Sequence, residues 1–469
     1  MAMLSALAVT VILESAAIQL SPCRQIAAKQ AMGVIVRTAL PGRSLQSRIM
    51  RLNSSTRDKV KTVVALSRFW HLHVNSRGGA LRWIARRNLM ANEYADYKPG
   101  LDGVIACITK LSLLDEEKEK IIVRGYDLIE LIQKTSYIKV AYLLIYNKFP
   151  TDAEAKDFEQ RLMAQADIPE EMYEIFQLLP KKTMAMDALR TGISILGGYE
   201  DHAALMDTST KANEEKALKI LAKAPTIAVN SYRAIMGMPF VKPDKSLGYS
   251  ENFIYMIKGA KPTAVETDTL DKILTTYIEH EMPNSTFTVR VVSSTLSDIY
   301  GSCASAVASL KGPLHGGANE AAMQMFLEVQ KIGGPAAAEK YIMDRLARKE
   351  KIMGFGHRVY MKKYDPRAFL MKDYIPKLVD QRPDGKDLYA IYQTIEKTMA
   401  REKGLYPNAD YPIALLYYLI NVPIDLYTPI FLCSRLAGLV SHHIEQQQNN
   451  RLFRPRVIYE GPRDLHPPV

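Results

Sequence analysis

Cysteine and tryptophan are scarce: the 469 residues include four of the first and two of the second. Cys23, Cys107, Cys303 and Cys433 lie far apart with no C-x-x-C pair. That spacing argues against a disulfide framework or a cysteine zinc site, and it favours a reducing compartment. No run of about 18 uninterrupted apolar residues occurs, the length a membrane-spanning helix needs. The most apolar piece, MAMLSALAVTVILESAAIQL, holds Glu14 and lacks the basic start of a signal peptide, so no membrane span is expected. Internal repeats and low-complexity segments are absent too, as is the serine-nucleophile elbow G-x-S-x-G.

Acidic residues are nearly missing from positions 1 to 90, which hold 14 Lys+Arg against 2 Asp+Glu. The net charge of +11 therefore belongs to that segment, and the remainder is close to neutral. A basic protein invites a nucleic-acid reading, but this distribution confines the question to the leader. Its Arg- and Ser-rich composition resembles an organelle transit peptide. It equally fits extraneous disordered sequence upstream of an internal start at Met90, and an RNA-binding arm is a third reading. Cytoplasmic localisation is expected, or an organelle matrix such as the mitochondrial one if the leader is a transit peptide.

What is present describes a globular chain: 48% hydrophobic and 24% charged residues, enough to bury a large core in more than one unit. Beyond Met90 the periodicity is helical. Met172, Ile175, Phe176 and Leu179 recur at i, i+3, i+4, i+7 before Pro180. Thr151 and Glu154 stand at capping-box spacing. Leu270, Ile273, Leu274, Tyr277 and Ile278 form a second stripe that ends beside His280. KIIVRGYDL is the best strand-like run and reads as a short hairpin strand. The predicted class is mainly α.

Three histidines fall in turn-rich settings: His280 in YIEHEMPNSTF, His315 in GPLHGGANE and His357 in IMGFGHRVYMKKYDPRA. Glycine beside histidine removes bulk, so a ligand can approach the ring and the neighbouring N–H groups. A single such histidine is more often a satisfied surface or helix-end residue; three similar contexts point to a site. Zinc is not expected, because HEMPN has Asn284 where a zincin needs its second histidine. GFGHRV is no dinucleotide fingerprint, since Val359 replaces the third glycine. Histidine and carboxylate acid–base chemistry without a metal remains. The carboxylate candidate is Asp410 in LYPNADYPIALL, although local sequence alone favours a helix N-cap there. Arg367, Arg435 and Arg454 each read as lying near a turn or element end, singly as surface ion-pair partners, together as grips for a small dicarboxylate.

The ordered set EHEMPNSTF, LKGPLHGGANE, KIMGFGHRVYMKKYDPRA, LYPNADY, LYTPIF and NNRLFRPR resembles the citrate synthase family in its short bacterial form, over roughly residues 95 to 465. EHEMPNSTF is most similar to the bacterial citrate/2-methylcitrate synthases, which accept propionyl-CoA as well as acetyl-CoA. The leader has no counterpart in that pattern.

The resemblance implies a homodimer of two-domain, all-helical subunits. Residues 91–311 with 425–469 would form the large domain, and 312–424 the lid. Asp410 would be the base at the thioester α-carbon, His315 the donor to the enol oxygen, and His357 the group polarising the oxaloacetate ketone. His280, Arg367 and Arg435 would hold oxaloacetate, joined by Arg454 of the second subunit. Lys351, Ile352, Met353, Gly354 and Phe355 would line the CoA site. The glycines around His315 would supply the backbone group that sets its tautomer. Acyl-CoA enters as substrate, with no cofactor, metal, nucleic acid or membrane partner implied. A citryl-CoA cleavage module and a catalytically silent interaction subunit are the alternatives. The first lacks a glycine-rich nucleotide-grasping signature, and the second would be expected to lose one of His315, His357 or Asp410.

Overall fold

The computed structural model describes residues 97–356 and 364–468. His357, Cys23 and the basic segment 1–90 lie outside the described residues. The chain divides into two units, Ile105–Pro455 and the terminal residues. In the terminal unit Pro99–Leu101 form a single 3-10 turn, and the Tyr459 hydroxyl donates to the Pro462 carbonyl at 2.9 Å.

Ile105–Pro455 opens with a three-stranded antiparallel meander, β1 Ser112–Asp115, β2 Lys120–Val123 and β3 Tyr126–Asp127. Leu113 pairs with Ile122, and Ile122 with Asp127. The hairpin expected in KIIVRGYDL is β2 and β3. Its two turn residues, Arg124 and Gly125, both have positive φ, 49° and 89°, the conformation whose twist matches the flanking strands.

Helices make up the rest. α1 Leu128–Lys134 and α2 Tyr137–Tyr146 follow the meander. α3 Asp152–Ala164 starts in the expected capping box: Thr151 Oγ1 accepts the Glu154 N–H at 3.2 Å, and the Glu154 carboxylate accepts the Thr151 N–H at 2.8 Å. α4 Glu170–Gln177 buries Met172, Tyr173 and Phe176, while Ile175 and Leu179 of the expected stripe are half-buried. α5 Ala185–Leu196, α6 His202–Met206, α7 Thr210–Ile235 and α8 Tyr249–Lys258 lead to α9 Ala264–Tyr277. The second stripe, Leu270 to Ile278, is buried throughout, so α9 is anchored along its whole inner face.

α10 Asn284–Ser293 and α11 Ile299–Leu310 precede a group formed by α12 Ala318–Ile332, α13 Pro335–Ala347, α14 Pro366–Lys372, α15 Gly385–Lys403 and α16 Asp410–Leu419. Within this group α12 packs on α13, α15 and α16, α13 on α15, and α14 on α16. The closing helix, α17 Tyr427–Gln448, runs against α2, α7, α9, α10 and α11. The segment Ile424–Gln448 is long and apolar enough to cross a membrane, but 83% of that window is buried inside the protein. A helix apolar on every side is what a central position demands. Cys107, Cys303 and Cys433 are free thiols.

Candidate active site

His315 sits where α11 gives way to α12, in the turn expected from its glycines. Its Nε2 accepts the backbone N–H of Ser285 at 3.1 Å and lies 2.9 Å from the Ser285 hydroxyl. An Nε2 that accepts leaves the proton on Nδ1, so the neutral ring presents one N–H donor. Burial, reinforced by the Arg435 charge, holds its pKa down at about 4. The group that sets the tautomer is therefore the first turn of α10, not the glycines beside the ring. Those glycines matter for packing instead. A Cβ on Gly316 would overlap the Leu310 carbonyl, so only glycine lets the turn close against α11.

Asp410 is the first residue of α16, and the N-cap position is Ala409 with no side-chain cap. The helix-cap reading of Asp410 is thus not what the fold uses. Its Oδ1 instead accepts the Tyr277 hydroxyl at 2.6 Å. Burial raises the carboxyl above its ordinary value, against the opposing pull of Tyr277, Arg367 and Arg435.

Arg367 and Arg435 are both buried, not surface ion-pair partners. Arg367 is 4% exposed in the first turn of α14 and pairs with Asp365 at 2.9 Å. Asp365 caps α14 through the Arg367 N–H at 3.0 Å and also accepts the Ala409 N–H at 3.2 Å, tying the starts of α14 and α16 together. Arg435, expected near an element end, lies well inside α17, 3% exposed. Its Nε donates to the Tyr277 carbonyl at 2.6 Å, and burial brings its pKa down to about 10.

The residues beside His280 are clamped from the meander. Ser112 Oγ donates to Glu279 Oε1 at 2.7 Å and accepts the Glu281 N–H at 3.0 Å. The Glu281 carboxylate accepts the Leu114 N–H at 3.1 Å, and Glu281 has φ of 61°, in the left-handed region. Glu279 is itself buried and meets His442 Nε2 at 3.1 Å.

Residues 351–355 run beside the segment 405–409 that leads into Asp410. Phe355 bridges Pro407, Gly354 accepts the Asn408 N–H at 2.9 Å, and Gly356 donates to the Tyr406 carbonyl at 3.2 Å. Gly354 has φ of 84°, and a Cβ there would come 2.8 Å from the Tyr411 ring. Ile352 is buried beside it, Met353 and Phe355 are half-buried, and Lys351 is exposed.

His315, Asp410, Arg367 and Arg435 thus share one electrostatic neighbourhood. Arg454 does not join it within its own chain: it is exposed beyond the end of α17. The segment before it is docked on α10, with Phe453 N–H donating to Ser294 Oγ at 3.1 Å and its ring edge-on to Phe287. A cavity of about 750 Å³ opens elsewhere, between α2, α3, α8 and α9, and none of these residues lines it. Among the described residues no cluster of His, Cys, Asp or Glu is arranged to hold a metal ion. Sequence reasoning misses Ser285, Asp365 and Ser112 as supporting residues, and takes Tyr277 only as core. The available signal for Ser285 is its place within the EHEMPNSTF motif.

The citrate synthase C-terminal domain family matches residues 100–456. The chain is 48% identical over 371 residues to the citrate/2-methylcitrate synthase of Bacillus subtilis, spanning 79% of this chain and 98% of that one. It is 40% identical to the 2-methylcitrate synthase of Mycobacterium tuberculosis, over 79% and 92% of the two chains. A solved ternary complex of carboxymethyl coenzyme A and oxaloacetate with citrate synthase from Thermoplasma acidophilum superposes with a TM-score of 0.73. That match has 33% identity and covers 79% of this chain and 98% of that one. The match over residues 100–456, together with relatives 40–48% identical along nearly their full length, places this chain in the citrate synthase family.

Proposed function

We propose that this chain condenses an acyl-CoA, acetyl or propionyl, with oxaloacetate and water, giving citrate or 2-methylcitrate and free CoA. The observation that carries the reading is that one buried guanidinium, Arg435, lies in the field of both His315 and Asp410. A cation fixed there suits a dicarboxylate held against a proton donor and a proton acceptor.

Asp410 takes the α-proton of the thioester. The thioester oxygen, becoming an enol, accepts from His315 Nδ1–H. A neutral donor is the useful form, because it gives a hydrogen bond without surrendering a proton to solvent, and a pKa near 4 keeps it neutral at pH 7. Arg367, Arg435 and His280 hold oxaloacetate, and His357 polarises its ketone for attack by the enol carbon. Water then cleaves the new thioester. The subunit acts as a homodimer in which Arg454 completes the site of the second subunit, and residues 312–424 close as a lid that excludes water until condensation is done. Residues 351–355 bind the acyl-CoA with backbone groups, beside the segment leading to the base. No cofactor takes part.

The test is CoA release from acetyl-CoA and from propionyl-CoA with oxaloacetate, compared as kcat/KM. One methyl group is worth about 1–3 kcal/mol in an apolar pocket, so a ratio of about 10- to 200-fold in either direction fits. Absence of CoA release with both thioesters, or an absolute need for Mg–ATP, overturns the proposal.

A further inference from the structure

Tyr277 holds two parts of the site at once. Its hydroxyl donates to Asp410 Oδ1 at 2.6 Å, and its carbonyl accepts Arg435 Nε, also at 2.6 Å. The side chain is 2% exposed. As the last residue of α9 it carries one of the carbonyls that a helix end leaves without an intrahelical donor, which is why that oxygen is open to a guanidinium. Its ring meets Phe431 edge-on with centroids 4.3 Å apart, and the Arg435 guanidinium lies 4.9 Å over the same phenylalanine. The buried face of α9 sets where both hydrogen bonds begin.

We infer that Tyr277 is a positioning residue: its hydroxyl aims the Asp410 carboxylate while its carbonyl seats Arg435, registering the base against the substrate-holding arginine. This rests on the proposed condensation reading. With Oδ1 held by the phenol, Oδ2 is the oxygen left to meet the α-proton. A short O–H···O⁻ bond also stabilises the charged form of the base. The other charged groups facing Asp410 are Asp365 and Arg367 from the start of α14 and Arg435 from α17, and none of them is altered by removing the phenol oxygen.

A tyrosine that merely filled the core would leave the titration of the base alone. The test uses the full chain with Tyr277→Phe and measures kcat against pH. The acid limb should move to higher pH by about one unit, since the carboxylate loses a donor that favoured its ionised form. The plateau should fall by about 10- to 100-fold as the carboxylate loses its aim. Binding of oxaloacetate alone should stay within a few-fold, because the Arg435 contact uses the backbone. If Tyr277→Phe fails to fold, a ring-fluorinated tyrosine at 277, whose more acidic hydroxyl is the stronger donor, should move the limb to lower pH. An unmoved acid limb in the variant that folds overturns the inference while parental activity still stands. A parent that releases no CoA overturns the condensation reading instead.

Discussion

The backbone N–H of Ser285, in the first turn of α10, donates to His315 Nε2 across 3.1 Å. A residue thirty positions earlier in the chain thereby decides which ring nitrogen keeps the proton. A main-chain donor cannot rotate away, so the neutral tautomer is built into the packing of α10 against the turn after α11.

His315 makes stability depend on pH in one direction. Its unfolded imidazole titrates near 6.5 and its folded one at about 4, so the unfolded chain binds the proton that the native one refuses. The contribution is complete above pH 6.5 and is lost as pH falls through 4. Buried His443, brought down to about 3, adds a loss that extends further into acid. Melting temperature should therefore drop more steeply between pH 6.5 and 4 for the parent than for His315→Asn. Parallel curves would show that the native imidazole is not held neutral.

Asp410→Asn should fold normally and bind oxaloacetate nearly as well, because an amide oxygen can still accept the Tyr277 hydroxyl. Turnover should fall by about 10²–10⁴-fold or more, the usual scale of a general base. Near-parental turnover in this variant removes Asp410 from the chemistry.

Gly354→Ala combines two penalties, a left-handed φ and a Cβ pressed on the Tyr411 ring. We expect a loss of about 1–3 kcal/mol in denaturant unfolding. The acyl-CoA KM should rise while oxaloacetate binding holds, since the strain falls on the segment paired with residues 406–408. An equal rise in both constants would mean that the segment does not face the thioester.

Arg454→Ala and Asp410→Asn subunits, each inactive alone, should regain activity when mixed under exchange conditions. If sites are shared across a dimer, the mixed dimer has one site with both defects and one with neither. Loss of a charge-assisted contact to a substrate carboxylate costs about 2–5 kcal/mol, enough to silence Arg454→Ala at ordinary oxaloacetate concentrations. Mixed dimers that form and stay silent would assign Arg454 to its own chain.

The local elements were legible because their causes are local. Thr151 and Glu154 cap α3 with groups three residues apart, Arg124 and Gly125 turn the hairpin, and the α9 stripe follows from a 3.6-residue period. The turn that carries His315 was legible for the same reason, because the glycines that let it close are its neighbours in sequence. Motif resemblance also picked out Asp410 and the buried arginines, although local sequence favours a cap at Asp410 and places Arg435 near an element end. Only packing shows that Asp410 is not the cap: Ala409 takes the cap position, and the phenol of Tyr277, 133 residues away, takes the carboxylate. Packing likewise put Arg435 inside a helix whose apolar surroundings depress its pKa, and gave the tautomer of His315 to Ser285. Hydrogen bonds and desolvation depend on distance in space, and distance in space is set only when α9, α10, α16 and α17 have packed together.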